Sequence, residues 1–267
     1  MLCTTAMFCK NRFCPKLLLL QCCLFLPLHL FAQSRQHSSL NGTFWMDLDL
    51  NVVASPYGPE SDQSRKNRPD ELIKSSQRFV RDEASYVFYG MIHGFQVIYR
   101  PPDRFHNQDE TFLVLSEKPE MIRPDDLEIY HISNVGYRYY YSVRKQLDRF
   151  ESFAIQAWEQ GNKKTLQGGG AVAFAAAAKA GKDTDWQSPE PELMIQLRKS
   201  AIDNAIKQAV RAYFRRELRN KPAQIRVNLA LSDVPEISVG SGELRARVRL
   251  HMGQYNIERY QTKGSYN

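Results

Sequence analysis

Hydrophobic and polar positions along the chain fall into a series of clear periods separated by turn chemistry. From Phe44 to Val53 apolar and polar residues alternate, putting Met46, Leu48, Leu50 and Val52 on one face and Asp47, Asp49 and Asn51 on the other, as in a half-buried strand. Residues 55–69 are rich in Pro, Ser and charge and read as a loop. Pro69-Asp70-Glu71 opens a helix with acidic residues in its first turn, Leu72, Phe79, Val80, Ala84, Val87, Phe88 and Met91 follow at helical spacing, and Gly94 ends it. Phe95, Val97 and Tyr99 then alternate with Gln96, Ile98 and Arg100, and Pro101-Pro102 stops that strand. Residues 111–115, 127–132 and 136–143 are further strand candidates. In the last, Tyr137, Tyr139 and Tyr141 share a face. Residues 150–158 fit a strand or a helix equally well.

The second half contains the longest helical pattern. Over 192–220, Leu197, Ala201, Ala205, Ala209 and Tyr213 form a stripe widened by Ile202, Ile206, Val210 and Phe214. Two alternating strands follow, one through Ile225, Val227, Leu229 and Leu231, the other through Leu244, Ala246, Val248 and Leu250, with a turn at 239–242 between them. A helix followed by strands thus occurs twice, each time after a Pro-rich stretch, and the fold class expected is α+β. It consists of two degenerate α-β-β units, each with a helix packed on a mainly antiparallel sheet. Between the units the pattern breaks. Residues 161–191 hold Gly168-Gly169-Gly170, an alanine run at 175–178 and two closing prolines, which reads as a mobile linker with a short, marginal helix.

The N-terminus changes the setting. Lys10, Arg12 and Lys16 precede an uncharged apolar run from Leu17 to Phe31, and Ala32 offers a small residue at a cut site. The run is about 15 residues, short of the roughly 20 that a membrane-crossing helix needs. The expectation is a signal peptide over 1–32, starting at Met1 or Met7, cleaved to leave a soluble periplasmic or secreted chain beginning at Gln33 with no transmembrane span. The alternative is a lipid anchor at Cys22 or Cys23. The remaining divisions are an N-terminal strand and loop at 33–69, a first unit at 70–160, the linker at 161–191, a second unit at 192–260 and a tail at 261–267. All five cysteines lie within the first 23 residues, so the expected mature chain has no thiol chemistry.

Composition narrows the chemistry. The whole chain has a formal charge of +7, and loss of residues 1–32 removes three positive charges and no negative ones. A moderate positive charge suits an envelope protein or an anionic surface component as partner. Export disfavours nucleic acid. The histidines outside the leader make no helical ligand pair, and there is no cysteine to complete a zinc site, so neither a metal nor a cofactor is expected. Val239-Gly240-Ser241-Gly242-Glu243 is not a nucleophile elbow, and the glycines at 168–170 lack phosphate-loop spacing. Paired carboxylates occur at Asp47/Asp49, Asp125/Asp126 and Asp183/Asp185, with an acid-and-histidine cluster at Asp103, His106 and Asp109-Glu110. They leave a periplasmic glycan hydrolase as the alternative to a non-enzymatic protein. The candidate binding surface is basic. Arg245, Arg247 and Arg249 lie on one side of the last strand, and Arg211, Arg215 and Arg219 lie in the C-terminal half of the long helix.

The run Ala201-Ile202-Asp203-Asn204-Ala205-Ile206-Lys207-Gln208-Ala209-Val210 and its two following strands resemble the α-β-β module of bacterial cell-envelope proteins, among them the N-terminal domain of the flagellar T-ring protein. The resemblance covers about residues 192–250. It implies a non-catalytic module that associates with other envelope components.

Overall fold

The computed structural model describes residues 37–48, 62–103, 107, 109–115, 122–161, 164–174, 191–218 and 223–259. The expected signal and lipidation sites, Asp49, His106, Asp183, Asp185, Arg219 and the tail lie outside them. The fold is mixed α+β, with three α-helices and two antiparallel sheets among the described residues. In chain order the elements are β1 (Ser39–Asp47), α1 (Asp62–Ile92), β2 (Phe95–Arg100), β3 (Thr111–Leu115), a 3-10 turn (Pro124–Asp126), β4 (Glu128–Val135) and β5 (Arg138–Gln146). They continue with α2 (Arg149–Gly161), β6 (Thr165–Ala173), α3 (Pro191–Leu218), β7 (Ala223–Leu231), β8 (Glu236–Gly240) and β9 (Glu243–Arg259).

The smaller sheet has the order β1-β5-β4. The larger, curled sheet runs β3-β2-β7-β9-β6, and β8 joins the first half of β9. The two helix-and-strand stretches share this larger sheet, because β2 from the first pairs antiparallel with β7 from the second, Val97 opposite Val227. Local chemistry explains the connections. Gly94 leaves α1 with φ of 76°, and a Cβ there would lie 2.5 Å from the Leu229 carbonyl oxygen, so glycine is needed for both the turn and the contact. Ser241 and Gly242 both have positive φ, which is the two-residue hairpin turn whose twist matches its strands.

Two features depart from the pattern reading, and one stretch that it left open is decided. The first helix begins at Asp62, upstream of Pro69, rather than at the proline. The ambiguous stretch at 150–158 is helix α2. Asp148 Oδ1 accepts from the Glu151 amide at 2.8 Å and Glu151 Oε2 accepts from the Asp148 amide at 3.0 Å, a reciprocal cap that fixes the helix start. Tyr137 is separated from Tyr139 and Tyr141. It sits exposed in the β4–β5 turn, whereas Tyr141 is buried with its hydroxyl 2.5 Å from Ser76 Oγ.

The largest correction concerns the expected linker. Its residues 165–173 form β6, paired along their whole length with β9, Gly168 opposite Val248 and Gly170 opposite Ala246. Helix α3 lies directly on this strand. A Cβ at Gly168 would come within 2.1 Å of the Ala205 carbonyl oxygen, and one at Gly170 within 2.3 Å of the Ala205 nitrogen. The small stripe Ala201, Ala205 and Ala209, all buried, is the other half of that contact. Two missing Cβ atoms on the strand and three alanines on the helix bring two backbones together. Residues 175–190 of the expected linker lie outside the described residues.

The core is continuous. Helix α1 contributes Val80, Ala84, Val87, Phe88 and Ile92, α3 contributes Ile202, Ile206, Val210 and Phe214, and the inner faces of β2, β7 and β9 complete it. Within it, α1 and α3 are joined by an ion pair. Arg198 Nη1 donates to Glu83 Oε2 at 2.7 Å, with both side chains almost completely buried. The Arg198 guanidinium also stacks 4.2 Å from the Trp45 ring, and that of Arg138 stacks on the same ring at 3.8 Å.

Candidate binding face on strands β6, β8 and β9

Strand β9 alternates strictly through its first half. Leu244, Ala246, Val248 and Leu250 are buried beneath α3, and on the other face Glu243 is half-buried and Arg245, Arg247 and Arg249 are exposed. The neighbouring strands extend this outer face. On β6, Ala171, Gly169 and Gln167 stand opposite Arg245, Arg247 and Arg249. On β8, Ser238 and Glu236 stand opposite Arg245 and Arg247. The result is an open cleft of about 470 Å³ lined by Gln167, Gly169, Asp233, Glu236, Arg247 and Arg249, with the backbone at Gly168 and Gly169 as its floor.

Charge on this face is mixed. Arg249 Nε lies 2.9 Å from Asp233 Oδ2, and Arg245 lies 3.3 Å from Glu243. The arginine side chains are 60% and 57% exposed, so each pair contributes at most about 1 kcal/mol and yields readily to a competing carboxylate. Arg247 makes no ion pair among the described residues, although Glu236 is its cross-strand neighbour.

The five described arginines of the expected six do not form a single surface. Arg245, Arg247 and Arg249 are together, but α3 packs against the opposite face of the same sheet, so Arg211 and Arg215 lie on the far side. Arg211 is also occupied there. Its Nε donates to Glu110 Oε1 at 2.9 Å, its Nη2 donates to Oε2, and Lys207 Nζ approaches the same carboxylate at 3.1 Å. Burial pushes the Glu110 pKa up, but the hydrogen bonds and charges of Arg211 and Lys207 outweigh it and hold it below the ordinary carboxylate value. Arg215 is exposed on α3. Sequence reasoning missed Gln167, Gly169, Asp233 and Glu236. The three glycines at 168–170 hide the alternation that would have marked their strand.

Of the carboxylate pairs, Asp47, Asp125 and Asp126 are described, and none of the three lines the cleft. Asp47 is held in a two-point pair by Arg138, at 2.7 and 2.9 Å, and Asp125 and Asp126 are exposed in the 3-10 turn. Asp103 and Glu110 are described but His106 is not. The half-buried Asp203 accepts from the Tyr86 hydroxyl at 2.5 Å. Burial raises its pKa, and this hydrogen bond opposes the rise. Among the described residues no group of three or more His, Cys, Asp or Glu side chains is arranged to hold a metal ion, and no helix is long and apolar enough to cross a membrane.

A family model matches residues 27–260, which includes every strand and helix described above. The chain belongs to that family, whose function is unknown. No curated protein and no solved structure matches the chain. The family therefore supplies no residue roles, and the chemistry has to be read from the face itself.

Proposed function

We propose that this is an exported, non-enzymatic cell-envelope protein that works by holding a partner on the outer face of β6, β8 and β9. The observation that carries this reading is the cleft over Gly169, where Arg247 has no ion pair among the described residues and Arg245 and Arg249 are held only by exposed ones. Long, solvated guanidinium groups beside a low backbone floor suit recognition of carboxylates or phosphates, because each guanidinium presents paired donors. The partner is an envelope protein or an anionic surface component. Export rests on the leader at 1–32, and the resemblance of residues 192–250 to an envelope α-β-β module points the same way. The hydrolase alternative is disfavoured because Asp47, held in a two-point pair by Arg138, does not line the cleft, whereas a glycosidase needs two carboxylates facing each other across one.

The test is replacement of Arg245, Arg247 and Arg249 together by Ser. All three side chains are exposed, so folding is expected to be retained. Recovery of the natural partner from envelope extracts should fall by about tenfold, the scale of losing one or two charge-assisted hydrogen bonds. Undiminished recovery of every partner overturns the reading.

A further inference from the structure

The three consecutive glycines of β6 are not equivalent. Those at 168 and 170 are required by α3, as described above. Gly169 is not, because a Cβ added there meets nothing closer than the Ala246 carbonyl oxygen at 4.0 Å. Its φ lies outside the range that favours glycine. The fold therefore does not explain this glycine, and it lines the cleft.

Among the described residues, β6 is also the end of its sheet and pairs with β9 alone. The Phe174 amide donates to the Gly242 carbonyl and the Met252 amide to that of Lys164, which fixes the hydrogen-bond phase. Even-numbered residues of β6 direct their N–H and C=O to β9, and Gln167, Gly169 and Ala171 direct theirs away from it. Among the described residues one of these outward groups is taken: the Ala171 carbonyl accepts from Asn204 Nδ2 at 3.2 Å, an exposed bond. The strand has no proline and no charged side chain, the usual means of blocking an edge.

Resting on the reading of the outer face as a binding surface, we propose that its partner is an extended peptide segment with acidic residues at alternate positions, added antiparallel to the free edge of β6. Residues of the added strand opposite Gly169 and Ala171 would project onto the outer face. From there their carboxylates cross two strand spacings, roughly 9.6 Å, which an arginine and a glutamate side chain span together. Gly169 and Ala171 keep that path clear, so the carboxylates meet Arg247 and Arg245. Main-chain hydrogen bonds supply the affinity and the arginines the selectivity, as in other strand-addition complexes. The acidic partner also answers the charge asymmetry of the arginine row, which has carboxylates on its β8 side and uncharged residues on its β6 side.

The probe is a synthetic peptide of alternating Glu and Val, compared with an alternating Lys and Val peptide and with a Glu/Val peptide N-methylated on the residues that would bond to β6. Binding to the full mature chain is followed by fluorescence anisotropy. The expected result is binding of the Glu/Val peptide alone, with at least tenfold loss on N-methylation and on Gly169→Val. The Gly169→Val variant should keep its unfolding midpoint. Binding that is lost in the triple arginine variant but indifferent to N-methylation and to Gly169→Val overturns strand addition while leaving the outer face as the site. Equal binding of the acidic and basic peptides overturns the arginine contacts. Failure of the Glu/Val peptide to bind, with partner recovery still dependent on the arginines, likewise overturns strand addition alone.

Discussion

Replacing each glycine of β6 by alanine, one at a time, distinguishes a packed strand from a linker at single-residue resolution. At Gly170 the new Cβ would lie 2.3 Å from the Ala205 nitrogen and 2.5 Å from the Ala201 oxygen, and at Gly168 it would lie 2.1 Å from the Ala205 oxygen. These obstacles are backbone atoms in the middle of a helix, so no side chain can swing aside. Reaching an ordinary contact distance requires α3 to withdraw by roughly 1 Å, enough to forfeit a quarter to a half of the dispersion energy of each contact it stretches. The expected cost is about 3 kcal/mol for either substitution, the upper end of the range for overpacking. Gly169→Ala has room, and adding a side chain to a strand is expected to be neutral or to stabilise by about 0.5 kcal/mol. Urea denaturation reads the difference. With a slope of about 2–3 kcal/mol/M, the midpoints for 168 and 170 should fall by about 1–1.5 M, and that for 169 should hold or rise slightly. In a flexible linker all three substitutions would restrict the folded and unfolded chain alike and leave the midpoints close to the parent's. Three midpoints that agree within about 0.2 M would refute the packing argument.

Two further perturbations address the core and the basic network. Glu83→Gln or Arg198→Met alone should destabilise by about 3–5 kcal/mol, because each leaves a buried charge without its partner. The double change to Leu and Met should recover most of that loss. Single variants within 1 kcal/mol of the parent in urea would show that the α1–α3 pair is not buried. Glu110 has a lowered pKa in the fold, so its contribution to stability is present above the ordinary carboxylate value of 4.5 and is lost as pH falls through the lower folded value. The Glu110→Gln variant should accordingly be less stable at pH 7, with a flatter acid limb than the parent in thermal unfolding. A parallel acid limb would exclude the Glu110 pairing with Arg211 and Lys207.

Much of the architecture was legible because it depends on local period. Helices α1 and α3 and strands β2, β7 and β9 follow from apolar spacing, and the outward row Arg245, Arg247 and Arg249 follows from strict alternation. Strand β6 was not legible, because glycine has low strand propensity and a run of three erases the alternation that marks a half-buried strand. Its reason lies about 35 residues away, in the alanine stripe at 201, 205 and 209, and only the two patterns together describe a close strand–helix contact. Helix α2 did carry a local signal in Asp148 and Glu151, spaced as a reciprocal cap. The candidate site was half legible for a similar reason. The alternation of β9 identifies its arginines, but nothing near Arg211 in the sequence points to Glu110, which reaches it from beyond β2.

Hydrogen exchange resolved at each amide of β6 tests the central claim most directly, since both the fold and the binding face depend on a strand paired along one side. In the isolated protein, Leu166, Gly168, Gly170 and Val172 should be protected and Gln167, Gly169 and Ala171 should exchange rapidly. On binding of the acidic partner, the second set should become protected as well. Uniformly fast exchange across 165–173, or protection of Gln167, Gly169 and Ala171 before any partner is added, would contradict the account.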